Sequence, residues 1–106
     1  MGGRAMKIFL DDIREPPDDS WFVCRTYREC EKYILYYHET IEEISFDHDL
    51  GEDKTGYDVA KLFEHHCFHK HFPCPKWIIH SANPVGRANI EMAMRKAEYW
   101  SETGKK

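Results

Sequence analysis

Glu43-Ile44-Ser45-Phe46-Asp47-His48-Asp49 is a short apolar run that stops abruptly at two carboxylates flanking an imidazole. Ile44 and Phe46 suit a buried strand, and the stop marks where the chain leaves the core. A polar loop follows, from Asp49 to Lys54, and then Thr55 with Asp58 three residues on supplies the chemistry of a helix N-cap. Val59, Ala60, Phe63 and Cys67 recur at helical spacing and line one side of that helix. Strand, acidic turn and one-sided helix make one unit, and the unit repeats in both directions. Upstream, Met6 to Leu10 ends at Asp11-Asp12, and a Pro16-Pro17-Asp18-Asp19 turn leads to a second strand, Trp21 to Arg25. Thr26 and Glu29 then form a capping box for a helix from Tyr27 to about His38, with Cys30, Ile34, Tyr37 and Ile41 on its stripe. Downstream, Lys76 to Ile79 is a fourth strand ending in His80-Ser81. Asn83-Pro84 starts a last helix, whose inner stripe is Ile90, Ala93, Met94, Ala97 and Trp100.

Apolar strands alternating with one-sided helices predict an α/β fold, with a mostly parallel sheet of about four strands flanked by helices on both faces. Leu10 to Trp21 is short for a parallel crossover, so an antiparallel hairpin-like edge is the alternative there. A chain of 106 residues fits one domain, placed at 6–100. Residues 1–5 fall outside it as an extension, and 101–106 are a tail.

The composition, 42% hydrophobic and 32% charged, suits a globular chain. The longest unbroken apolar run, Tyr33 to Tyr37, falls far short of the roughly 20 residues that cross a bilayer. A formal charge of −4 gives no global field for gripping duplex DNA. That total conceals a separation: residues 1–53 carry −8 and residues 54–106 carry +4. Cys24, Cys30, Cys67 and Cys74 show no C-x-x-C spacing, so reduced thiols and a cytoplasmic location are the expectation.

In open parallel sheets, ligands bind beyond the carboxyl ends of the strands. Three strand ends deliver polar groups there: Asp11 and Asp12, then Asp47, His48 and Asp49, then His80, Ser81 and Asn83. Any one set serves equally well as loop solvation or a helix cap; three together favour a site. Carboxylates gathered so closely need a proton or a cation. Oxygen ligands without clustered thiolates suit Mg²⁺ or Mn²⁺, held by Asp11, Asp12, Asp47 and Asp49.

Leu10-Asp11-Asp12 with Arg14 and Pro16, Phe46-Asp47-His48-Asp49-Leu50-Gly51, Thr55-Gly56-Tyr57-Asp58, and His80-Ser81-Ala82-Asn83-Pro84 with Gly86 and Asn89-Ile90 together resemble the cyclic-phosphate processing receiver-domain family. The resemblance spans Met6 to Trp100. More distantly, the acidic pair, the Asp after the central strand and the Ser-Ala after the next are similar to response-regulator receivers. It implies a single-domain receiver-like (flavodoxin-like) sheet and a role in processing cyclic phosphates, of RNA ends or nucleotides. Signalling receivers place a Lys after a fifth strand; this chain has no fifth-strand candidate, which argues against a phosphorelay switch.

Opening a cyclic phosphodiester needs an in-line nucleophile, stabilised phosphoryl oxygens and a proton for the departing sugar oxygen. Arg14, Ser81 and Asn83 are the candidates for holding phosphate, and His48 or His80 for the proton. The nucleophile is either water or Asp47 itself. Two other classes stay open: a non-catalytic receiver-like binding or regulatory module, and a helper in an RNA-repair or defence system. In the His65 to His71 segment, the i,i+4 pairs His65/His69 and Cys67/His71 suggest zinc, but a helix sends them to different faces. Oligomeric state has no signature in the chain.

Overall fold

Residues 5–69 and 72–103 are described by the computed structural model. Along the chain run β1 (Met6–Leu10), β2 (Trp21–Cys24), α1 (Tyr27–Tyr37), β3 (Ile41–Phe46), α2 (Gly56–Phe68), β4 (Lys76–Ile79) and α3 (Pro84–Glu102). The four strands form one all-parallel sheet in the order β2-β1-β3-β4. The hairpin alternative is thereby excluded: β1 and β2 pair in parallel, joined by a ten-residue loop without a helix.

Right-handed crossovers explain where the helices sit. The steps from β2 to β3 and from β3 to β4 run the same way across the sheet, so α1 and α2 share a face. The step from β1 to β2 runs the opposite way, and its loop belongs to the other side. One core cluster joins Ile8, Leu10, Cys24, Ile44 and Phe46 of the sheet to Ile34 of α1, Phe63 of α2 and Met94 of α3. Each large side chain buried there contributes about 1.5–3 kcal/mol. Phe9, Trp21, Ser45 and Ile78 alternate with those strand residues and face the opposite side, where Trp21 packs edge-on against Phe9 at 6.1 Å. Among the described residues no helix covers that face, so the expectation of helices on both faces is corrected to a two-layer arrangement.

Local expectations are corrected by small steps. Ile41 opens β3 rather than closing the α1 stripe, because the Thr40 amide bonds back to Tyr37 and ends the helix. Glu29 does not complete a capping box: Thr26 Oγ1 accepts from the Glu29 amide, but the Glu29 carboxylate reaches one residue further back, to the Arg25 amide. The box is complete at α2, where Asp58 accepts from the Thr55 amide and Thr55 Oγ1 from that of Tyr57. The last helix runs through Glu102, so the expected tail loses its first two residues to α3, and Ser101 Oγ accepts from the Cys74 amide. Residues 1–4 of the N-terminal extension, His71 of the zinc alternative and 104–106 of the tail lie outside the described residues. All four cysteines are free thiols. Among the described residues no helix is long and apolar enough to cross a membrane.

Candidate functional site

Register alone brings the first three groups together. Leu10, Phe46 and Ile79 are aligned across β1, β3 and β4. The ladder then continues one residue further, with the Asp47 amide donating to the Leu10 carbonyl and the His80 amide to that of Phe46, both at 2.9 Å. Asp11, Asp47 and His80 therefore stand side by side, two residues beyond Phe9, Ser45 and Ile78 and on the helix-free side. One ligand atom from each lies within 4.8 Å of the others.

Asp11 is fully buried. Its Oδ1 accepts from the amides of Ile13 and Arg14, and its Oδ2 from Arg14 Nη1 at 3.2 Å and His80 Nε2 at 2.8 Å. Burial opposes its charge, but the two amide bonds and the His80 ring outweigh burial and hold its pKa below the ordinary 3.8. Asp47 is shifted the other way. Burial, and after it the negative charge of Asp11, raise its pKa above 3.8, against partial relief from the His48 amide, His80 and Arg14. Two adjacent carboxylates thus differ in character: one satisfied, the other short of positive charge.

His80 is held on three sides. Its ring lies flat on Phe9, with centroids 4.5 Å apart and planes 4° from parallel. Its Nδ1 meets Ser45 Oγ at 2.7 Å. Asp11 offers only acceptors, so Nε2 carries the hydrogen in that contact, and in a neutral ring Ser45 is the donor to Nδ1. Ser45 escaped the sequence reading, although it is the one polar residue inside the apolar run of Ile44 to Phe46.

The remaining candidates separate into a cleft and its supports. A cleft of about 330 Å³ is lined by Asp12, Arg14, Asp47, Asp49, Ser81 and Asn83, among others. Asp12 lines this cleft but is outside the three-residue ligand group. Arg14 Nη1 also stands 3.9 Å from Asp47, so it bridges both acids. Asp49 is exposed and takes bonds from His48 Nδ1 and Asn83 Nδ2, which lower its pKa and tie the end of β3 to the start of α3. Asn83 Oδ1 caps α3 by accepting from Gly86. His48 is not among the lining residues; its ring packs against Gly86, where an added Cβ would come within 2.6 Å of its Cδ2. Ser81 is buried, its Oγ accepting from the Asn83 amide, while Arg87 fastens the carbonyls of Ile79 and Ser81.

The donor set fits a divalent cation. It has two carboxylates, one of them lacking compensation, and an imidazole edge on a partly open side. No curated protein and no solved structure matches the chain. The family model described as the cyclic-phosphate processing receiver domain matches residues 6–96, which takes in every strand, Arg14, the Asp47 turn and His80 to Asn83. With more than four-fifths of its length aligned to that description and the strand-end cluster in place, the chain belongs to the cyclic-phosphate processing receiver-domain family.

Proposed function

We propose that the cleft opens cyclic phosphodiesters with the help of a divalent cation, Mg²⁺ or Mn²⁺, held by Asp11 and Asp47. The observation that supports this most is the convergence of Asp11, Asp47 and His80 at three adjacent strand ends. When bound, the cation supplies charge neutralisation and Lewis acidity toward a phosphoryl oxygen. Arg14, half exposed and already within reach of both acids, is the residue to hold a non-bridging oxygen. The Ser81 hydroxyl accepts from the Asn83 amide and has its own hydrogen to donate to phosphate. Asn83 acts chiefly through the α3 cap and Asp49. The proton for the departing sugar oxygen comes from His80 or His48, and the nucleophile is water or Asp47.

The acidic rim bears on the substrate. Asp12 and Asp49 stand at the cleft, and Glu15, Asp18 and Asp19 follow in the β1–β2 loop. That field favours a cyclic mononucleotide with a single negative charge over an RNA end carrying one charge per residue. The test is incubation with a 2′,3′-cyclic nucleotide and with a cyclic-phosphate-ended RNA, with Mg²⁺, with Mn²⁺ and with neither. Wild type is expected to turn over the mononucleotide faster than the RNA, and His80→Ala to lose at least about 100-fold. Absence of turnover with both cations would overturn the catalytic reading. Binding without turnover would favour a receiver-like binding module, a reading to which the double tethering of His80 lends support.

A further inference from the structure

We propose that Ser45 is the hydrogen-bond partner that lets His80 become the third ligand of the cation, through Nε2, and that this nitrogen favours a transition ion such as Mn²⁺ over Mg²⁺. The inference rests on reading the Asp11-Asp47-His80 group as a cation site. Facing the Asp11 carboxylate, His80 Nε2 carries its hydrogen toward Oδ2 at 2.8 Å, and in a neutral ring Nδ1 is then the lone-pair nitrogen that takes the Ser45 hydroxyl at 2.7 Å. A ligand nitrogen must present a lone pair, so Nε2 has to lose its hydrogen when an ion arrives. A neutral ring keeps its proton count by carrying that hydrogen on Nδ1 instead, and Nδ1–H then needs an acceptor.

Ser45 is suited to both states because a hydroxyl donates and accepts by rotating about one bond. It is 2% exposed, which leaves water little access to replace it. Phe9 keeps the imidazole plane fixed through the exchange, stacked at 4.5 Å and itself 5% exposed. The ring is not sealed in, with 21% of the His80 side chain exposed, and Nε2 already faces the two acids. Metal-bound histidines nearly always donate their second ring N–H to an acceptor, the place that Ser45 Oγ takes here, and losing such a partner costs about 10–100-fold in affinity. Mg²⁺ takes oxygen ligands, so a site that offers nitrogen gains little with Mg²⁺. Two consequences follow for the reaction. His80 used as a ligand cannot also protonate the departing oxygen, which assigns that proton to His48 or to water. The ion preferred in the assay is then Mn²⁺.

Mn²⁺ alone is the probe, titrated into the intact chain by calorimetry and followed by pulsed electron paramagnetic resonance. Wild type is expected to show coupling from a directly bound ¹⁴N that disappears in His80→Ala. Ser45→Ala should weaken Mn²⁺ about 10–100-fold with Mg²⁺ affinity unchanged. Ser45→Thr keeps the hydroxyl and should restore Mn²⁺ binding, which separates the hydrogen bond from a packing effect; melting curves without metal establish that each variant is folded. No Mn²⁺ binding, binding without nitrogen coupling, or a Ser45→Ala variant that binds as wild type would each overturn the inference. Serine-dependent Mn²⁺ binding in a protein that leaves cyclic phosphates intact removes only the phosphoesterase reading. Turnover combined with Mn²⁺ affinity indifferent to Ser45 removes only this one.

Discussion

Asp47→Asn is expected to raise the melting temperature at neutral pH while lowering turnover of a cyclic phosphate, and affinity for Mn²⁺, by more than about 100-fold, the upper end of what losing even an outer-shell partner costs. Both effects come from the same charge. Burial and the neighbouring Asp11 raise the folded-state pKa of Asp47 above 3.8, so its ionised form costs stability at pH 7. That cost is relieved as pH falls through the raised folded value toward the unfolded one. Asn keeps an oxygen for the His48 amide, now bonded to Asp47 Oδ1 at 2.9 Å, and removes the repulsion. A gain on the order of 1 kcal/mol, or about 4 °C, is the usual scale for relieving such a site. The advantage over wild type should shrink as pH approaches about 4, where Asp47 protonates in either state. Asp11 has the opposite sign: its folded pKa is lowered, so its contribution is present above 3.8 and lost only as pH falls through the depressed value. Melting curves between pH 3 and 7 for the wild type and variant check this. An Asp47→Asn chain less stable than wild type at pH 7 would mean that Arg14 and His80 outweigh burial and the Asp11 charge.

The strand ends were legible because each is a change of solvent written into the chain: Leu10 to Asp11, Phe46 to Asp47 and Ile79 to His80 each pass from apolar to polar in one step. Parallel register then aligns those steps without further information. Caps were legible for the same local reason, as at Thr55 with Asp58 and at Asn83 before Pro84. Long-range choices were not. That Asp11 rather than Asp12 faces Asp47 follows from strand parity, since side chains alternate and only Asp11 continues the Phe9 side. The pairing of Arg14 with Asp11 and Asp47 depends on the turn that Asp11 builds through its bonds to the Ile13 and Arg14 amides, which spacing along the chain does not reveal. The helix-free face was hidden for a different reason. Lys7, Phe9, Val23 and Ile78 are as apolar or mixed as their neighbours on the core side, and only the missing helix between β1 and β2 distinguishes the two. Ser45 has no function visible from its own strand; it acquires one only when β4 delivers His80 opposite it.

Gly56→Ala should cost about 3 kcal/mol or more and scatter the site as well, because nothing near Gly56 is able to give. Gly56 is the first residue of α2, and its amide donates to the His48 carbonyl at 2.9 Å. A Cβ there would fall on the carbonyl oxygen of Asp47, 3.0 Å from its carbonyl carbon and 3.2 Å from His48 Cα. All three atoms are backbone, and that backbone is held on its other side by the ladder bond from the Asp47 amide to Leu10. Relief therefore requires either α2 to lift from the sheet, exposing Val59 and Ala60, or the Asp47 turn to shift and carry its carboxylate away from Asp11. The first route lowers stability, and the second lowers Mn²⁺ affinity. Gly51→Ala is the useful comparison. Gly51 has φ 69°, and a Cβ there would approach only the Asp12 carboxylate, at 3.1 Å. It should cost about 1 kcal/mol for the left-handed backbone and leave Asp47 where it is. Denaturant melts and Mn²⁺ titration of both variants are the measurement. The expected result is a loss at Gly56 at least twice that at Gly51, in a fold whose whole margin is about 5–15 kcal/mol, with Mn²⁺ affinity falling only for Gly56→Ala. Equal losses at the two glycines would show that α2 does not press on the Asp47 turn, and that the close approach of helix to strand end is not what holds the carboxylate in place.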